Sequence, residues 1–201
     1  RRMPAALPRK NQALLMRIIS GKFGGRRINA KIPAGVRPTL DSARETIFNI
    51  LNNLIDFEDI RVLDIFAGSG MLGFEAMSRG ALECYSIEKS RKTFAFIKKS
   101  IEEFRIDKDS FHLINTDATK YLKKLEGEQI KFDLIFMDPP YNLLICNKML
   151  DMLVGLELIS DGGIICIEHE KSEQINPPNG LEIINTKMFG ATQVDFLERV
   201  T

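Results

Sequence analysis

The sequence predicts an α/β fold. A seven-stranded, mostly parallel sheet carries helices on both faces, ends in an antiparallel hairpin, and is preceded by a β-hairpin arm. Three observations predict it. From residue 61 to residue 170, short apolar runs alternate with amphipathic ones, the pattern of strands joined by covering helices. A glycine-rich turn follows the first of those strands. The last two runs, "GLEIINTKMFG" and "ATQVDFLERV", flank Gly190 with no helix between them, which reads as a hairpin.

The elements follow in order. "MRIISGKFGGRRINAKIP" alternates loosely and is broken by Gly21 and Gly24-Gly25, so it reads as a β-hairpin or glycine-hinged arm. "DSARETIFNILNNL" is a helix with Ser42 and Glu45 at capping-box spacing and an apolar face of Ile47, Ile50, Leu51 and Leu54. "RVLDIFA" is a buried strand, and "MLGFEAMSRG" a helix stopped by Gly80. "LECYSIE" is the next strand. Ser90 opens the helix "SRKTFAFIKKSIEEF", with Phe94, Ile97 and Ile101 inward. "SFHLINT" and "ATKYLKKLE" are strand and helix, as are "KFDLIFMD" and "NLLICNKMLDMLVGL". A Gly162-Gly163 turn leads into "GGIICIEHE", the fifth strand.

A chain of 201 residues fits one main domain with an appendage. The divisions are residues 1–15, a disordered or cloning-derived extension with Met16 a plausible start; 16–40, the basic arm; and 41–201, the main domain. A 44% hydrophobic, 27% charged composition can bury a core. No apolar run approaches the length of a membrane span. Cys84, Cys146 and Cys166 are scattered, which argues against a disulfide framework and fits a reducing cytoplasm. With His112 and His169 they form no metal spacing, so no metal is expected. No surplus apolar face is obvious, so a monomer is expected.

The net charge of +1 hides an asymmetry. Residues 1–40 hold ten of the 28 bases and no acid, while 41–201 hold the other 18 and all 27 acids, a net −9. A basic arm on an acidic body predicts a polyanionic partner. Arg17, Lys22, Arg26, Arg27 and Arg37 are the candidate contacts.

"LDIFAGSGMLGFEA" puts Gly68 and Gly70 between the first strand and its helix, a turn that lets backbone approach a ligand at a helix N-terminus. Gly68, Gly70 and Gly73 fit the dinucleotide fingerprint formally, so the motif alone does not decide the ligand. Its context does. Asp64, near the strand's end, would repel a pyrophosphate but suits the ammonium of an amino acid. S-adenosylmethionine carries that ammonium and no phosphate. Glu88, twenty residues past Gly68, can accept both ribose hydroxyls. Asp117 can bond an adenine amino group and the Ala118 N–H its ring nitrogen; Asp117 also reads as an N-cap, and the two roles are compatible.

"FMDPPYN" ends the fourth strand on Asp138. Ligands of open α/β sheets lie outside the carboxyl ends of the strands, beside Asp64 and Gly68. The Asp138 carboxylate and the Pro139 carbonyl can bind the two N–H groups of an exocyclic amine on a base. That favours a pyramidal nitrogen with its lone pair free to attack. Pro139 and Pro140 fix φ and remove competing donors. Tyr141 offers a stacking face, worth roughly 1–3 kcal/mol. The electrostatic gain grows as positive charge develops on nitrogen. Methylation at a pyrimidine carbon needs a nucleophilic cysteine here, and Cys146 lacks the Pro-Cys or Thr-Cys context.

"RIISGKFGGRRI", "RPTLDSARETIFNIL", "LDIFAGSGMLGFEAMSRGA", "IE" and "DPPY" together resemble the RsmD-type family over residues 16–200. These are bacterial methyltransferases that modify the exocyclic N2 of a guanine in small-subunit (16S) rRNA. A hairpin closing a doubly wound sheet likewise resembles the class I S-adenosylmethionine-dependent methyltransferase fold. The resemblance implies a cofactor site at Asp64, Gly68, Gly70, Glu88 and Asp117, with Phe66, Lys89, Ala118 and Asp138 beside them. It implies that Asp138, Pro139, Pro140 and Tyr141 hold the base, and that the arm and the loop at 37–39 engage RNA or cover the cofactor. In "GKFGGRR" the family often has a bulkier or basic residue before the second glycine. Two other readings remain: adenine-N6 methylation of DNA or RNA, whose enzymes share DPPY, and a non-catalytic RNA-binding or assembly factor.

Overall fold

The computed structural model describes residues 16–28, 41–140 and 145–200. The expectations for residues 1–15, for Arg37 and the loop at 37–39, and for Tyr141 lie outside these residues.

Seven strands form one sheet in the order β3-β2-β1-β4-β5-β7-β6. β1 (Arg61–Asp64), β2 (Glu83–Ile87), β3 (Phe111–Ile114), β4 (Phe132–Met137) and β5 (Ile159–Glu170) are parallel; β6 (Leu181–Phe189) and β7 (Thr192–Arg199) add the antiparallel pair. The order runs outward from β1 to β3 on one side and from β4 on the other. The β1/β4 boundary is therefore the point where loops diverge and leave a crevice.

Alternation along the strands divides the core between two faces. Val62, Cys84, Leu134, Phe136 and Cys166 pack with α1 (Asp41–Leu51), α2 (Met71–Arg79) and α3 (Arg91–Phe104). Leu63, Ile87, Ile135, Ile165 and Leu197 pack with α4 (Ala118–Lys124) and α5 (Cys146–Gly155). All three cysteines are free and buried.

The arm's hairpin character is present at residue scale. Arg17 and Arg27 form an antiparallel bridge, Ile28 N–H bonds the Met16 carbonyl, and Gly25 N–H bonds that of Ile18. Met16, Ile18, Phe23 and Ile28 are buried in the α1–α3 core. Each contributes roughly 1.5–3 kcal/mol as an upper estimate. The exposed Arg17–Asp41 ion pair adds at most about 1 kcal/mol, so apolar burial holds the arm.

Polar contacts then fix its register. Glu75 on α2 accepts from the Ile19 and Ser20 N–H groups and from Arg79. Ser78 Oγ accepts from the Phe23 N–H. Buried Arg44 donates to Asp41 and to the Arg17 carbonyl. Burial lowers its pKa, while nearby Asp41 and Glu75 oppose the shift.

Four expectations are corrected. α1 begins at Asp41, so Ser42 lies inside the helix and does not cap it. Its buried face is Arg44, Ile47, Phe48 and Leu51, with Leu54 exposed beyond the helix end. On α3, Phe94 is only half-buried, and Thr93, Phe96, Ile97, Ser100, Ile101 and Phe104 face inward. β5 begins at Ile159 and runs through Gly162-Gly163, because a register shift against β4 absorbs them as an irregularity instead of a turn. Gly162 there has φ +70°, and a Cβ on Gly163 would lie 2.8 Å from the Ser160 carbonyl, so only glycine fits this backbone.

Candidate active site

The carboxyl ends of β1, β2, β3 and β4 bring the expected residues to one edge of the sheet. β1 leads into Gly68, β2 into Glu88, β3 into Asp117 and β4 into Asp138. The turn after β1 is fixed by backbone bonds: Ile65 N–H to the Phe136 carbonyl, and Ala67 N–H to that of Ile87. Gly68 and Gly70 have φ of +52° and +76°, left-handed values that glycine adopts without strain. They are glycines for different further reasons. A Cβ on Gly68 would meet only the Phe66 carbonyl, at 3.8 Å, whereas one on Gly70 would press on Phe74 and Ile97 at 3.1–3.2 Å. Gly68 therefore leaves open space above the turn, and Gly70 lets α2 pack against α3. Gly70 caps α2 with no side-chain hydrogen bond.

Glu88 ties the turn to β2. One of its carboxylate oxygens accepts from the Gly68 N–H at 3.0 Å and the other from the Ser90 N–H at 2.6 Å. A carboxylate has about four acceptor sites, so capacity for hydroxyls remains. Burial raises its pKa, and the backbone donors oppose that. Ser90 caps α3 by accepting from the Thr93 N–H.

Asp117 caps α4, accepting from the Thr119 N–H and hydroxyl, and bonds Lys89 Nζ at 3.1 Å. The Thr119 and Lys89 contacts pull its pKa down to about 2. The capping expectation thus holds, and Lys89 is joined to Asp117. Ala118 is buried behind it, and half-buried Phe66 packs on the α4–α5 face. Sequence reading missed Asn115. Its amide donates to the Glu88 and Lys89 carbonyls and locks the β2 and β3 ends together. An Asn directly after a strand was the available signal.

Asp64 is the last residue of β1. It is 1% exposed, beneath the turn and beside Gly73 of α2. Its Oδ2 has no hydrogen-bond partner. Burial pushes its carboxyl up to about 7, with Gly73 opposing and Glu88 adding. Asp64 thus lies beneath the turn with one carboxylate oxygen open to a donor.

Asp138 is half-buried, Pro139 buried and Pro140 exposed. Asp138 has interactions within the fold. Two residues earlier, Phe136 pairs with Asp64 of β1, which puts Asp138 beside the glycine turn. Cys146 opens α5 with a buried thiol whose pKa is raised by desolvation and by Glu173, a poor setting for a nucleophile. Among the described residues no group of three or more His, Cys, Asp or Glu side chains is placed to hold a metal ion.

On the arm, Arg17, Lys22, Arg26 and Arg27 are all exposed. Arg17 pairs with Asp41. Arg26 lies over the Phe23 ring and donates to the Phe104 carbonyl. Lys22 stands 5.5 Å from the same ring.

The expected cofactor fits this donor set. An open glycine turn, an uncapped helix start, an orphaned buried carboxylate oxygen and two acids at successive strand ends suit a cationic amino acid, a ribose and an adenine. They do not suit a pyrophosphate, which two nearby carboxylates would repel.

The chain is similar to proteins of known family. The model of the family described as Conserved hypothetical protein 95 matches residues 16–198. The ribosomal RNA small subunit methyltransferase D of Buchnera aphidicola (subsp. Acyrthosiphon pisum) is 37% identical over 92% of this chain and 93% of that protein. The solved structure of yhhF from Escherichia coli superposes with a TM-score of 0.81 at 29% identity, over 92% of this chain and 98% of that one. The structure of SMU.776 complexed with SAH shares the fold at 16% identity and a TM-score of 0.64, over 77% of this chain and 49% of that one.

Proposed function

The chain belongs to the Conserved hypothetical protein 95 family, and from that premise we propose that it is a small-subunit rRNA methyltransferase. It uses S-adenosylmethionine and acts on the exocyclic N2 of a guanine in 16S rRNA. One observation carries the reading. The Asp138 carboxylate and the Pro139 backbone close β4 at the strand-order boundary, next to the glycine turn of β1. The substrate class follows the name of the Buchnera relative, and the cofactor follows the donor set and the SAH carried by the fold neighbour.

When bound, the cofactor supplies a methyl group on a sulfonium. Glu88 takes the ribose hydroxyls while holding the Gly68 backbone in place. Asp117 and the Ala118 N–H take the adenine, with Phe66 and Lys89 beside them, and Gly70 keeps the helix start close. Asp64, whose Oδ2 has no partner within the fold, takes the ammonium of the cofactor's amino acid. Asp138 and the Pro139 carbonyl accept the two N–H bonds of the target amine and turn its lone pair outward. They stabilise the positive charge that develops on nitrogen, an effect worth about 10²–10³-fold in rate for one well-placed group. Pro140 stiffens the loop and Tyr141 stacks on the base. The nitrogen's proton leaves to solvent after the new N–C bond has formed. Arg17, Lys22, Arg26, Arg27 and Arg37 hold the rRNA backbone. The protein works as a cytoplasmic monomer.

The test is nucleoside mapping. Small-subunit rRNA from cells lacking the protein, incubated with the purified protein and labelled cofactor, is digested and analysed by mass spectrometry. N2-methylguanosine at one position is expected. N6-methyladenosine, or no label, contradicts the reading.

A further inference from the structure

Asp138 and Glu168 each follow directly on the last registered pair of β4 and β5. β4 and β5 run parallel, with Phe136 paired to Cys166 and Met137 to Ile167. The next residue along each chain is Asp138 and Glu168. Phe136 and Cys166, two positions back, are buried in the same α1–α3 core, and side chains two apart share a face. Both carboxylates lie near Cys166: burial raises its thiol pKa, and the charges of Glu168 and then Asp138 add to that. Glu168 is half-buried. Its backbone is still within β5, paired to Val194 of β7. It is thus carried by an interior strand, which fixes a side chain more firmly than a loop does.

Resting on the guanine-N2 reading above, we propose that Glu168 selects the base, accepting the ring N1–H of guanine while Asp138 and the Pro139 carbonyl hold the adjacent amino group. An Asp-Pro-Pro-Tyr clamp holds any exocyclic amine, so discrimination must come from beside it. Guanine places two donors, N1–H and the N2 amine, side by side on one edge. Two acceptors from adjacent strands match that pair. Adenine places a bare N1 lone pair next to its amine, and a carboxylate facing it is repulsive. Glu168 is therefore both an attraction for guanine and a barrier to adenine.

The contact is probed with 2-aminopurine, which keeps the N2 amine and lacks both the N1–H and O6. The missing O6 affects wild type and Glu168 variants alike, so the change in preference between them reports the N1–H contact. Full-length small-subunit rRNA is ligated with guanine or 2-aminopurine at the mapped position, and offered as free RNA and as assembled small subunits. The wild-type protein is expected to prefer guanine by about 10- to 100-fold in kcat/KM, the size of one hydrogen bond to a charged acceptor. Glutamine can accept from N1–H or donate to a bare N1, so in Glu168→Gln the preference falls to within about threefold, with cofactor affinity by calorimetry unchanged. Glu168→Asp, which keeps the charge, retains a preference for guanine. Equal losses on both substrates would assign Glu168 a purely structural role and overturn the proposal. So would an unchanged preference. No transfer to the guanine substrate by wild type would overturn the guanine-N2 reading itself and the proposal with it.

Discussion

Glu88 and Gly68 are joined by a 3.0 Å hydrogen bond from the glycine N–H to the carboxylate. The acid proposed to take the cofactor's ribose therefore also shapes the turn on which the cofactor rests. Recognition and preorganisation are combined in one side chain. Glu88→Ala removes both, and cofactor affinity by calorimetry should fall about 10- to 100-fold. The loss of two backbone contacts should lower stability by about 1–3 kcal/mol. Unchanged affinity in a folded variant would remove Glu88 from the cofactor site.

Asp64 makes stability depend on pH. Its folded-state pKa of about 7 lies above the ordinary value near 3.9. The native state thus holds the proton more tightly than the unfolded chain. Its neutral form is fully tolerated below about pH 4, and stability is lost as pH rises through about 7. Asp64→Asn, which keeps the shape and an acceptor oxygen, has no such titration. In denaturant melts the variant should gain on wild type between pH 5 and pH 8, by an amount on the order of a few kcal/mol. Parallel pH profiles would show that the Asp64 carboxyl titrates normally.

The arm's cations should separate by function. Arg26 also packs on Phe23 and donates to the Phe104 carbonyl, so Arg26→Gln should loosen the arm, speeding amide hydrogen exchange over residues 16–28, besides weakening RNA binding. Arg27 is exposed and pairs with Arg17 through the backbone bridge. Arg27→Gln should leave that exchange unchanged and lower the salt slope of RNA binding by about 0.7–0.9, one phosphate contact. An unchanged slope would take Arg27 out of the RNA interface.

Much of this site was legible because its chemistry is local. A glycine turn after a strand, an acid at each strand end and Asp-Pro-Pro-Tyr are contiguous signals. So were the Ser90 and Asp117 caps, since a side chain reaching two or three residues ahead needs only local spacing. The rest was set by tertiary contact. The depth of Asp64 beneath α2 depends on how Gly73 packs. Half-buried Phe94 and buried Arg44 exchanged the roles expected for apolar and charged side chains, because neighbouring elements decide which helical face is covered. Glu168 was unremarkable in "GGIICIEHE". Only the β4–β5 register, which no single strand carries, sets it beside Asp138.

The central claim is that Asp138 acts on the base and not on the fold or the cofactor. The most direct measurement compares Asp138→Ala with wild type in transfer of labelled methyl to unmethylated small-subunit rRNA, alongside calorimetric titration with S-adenosylmethionine. The account predicts transfer reduced by at least about 10²–10³-fold, with cofactor affinity within a few-fold of wild type. Transfer at the wild-type rate by the alanine variant would contradict it.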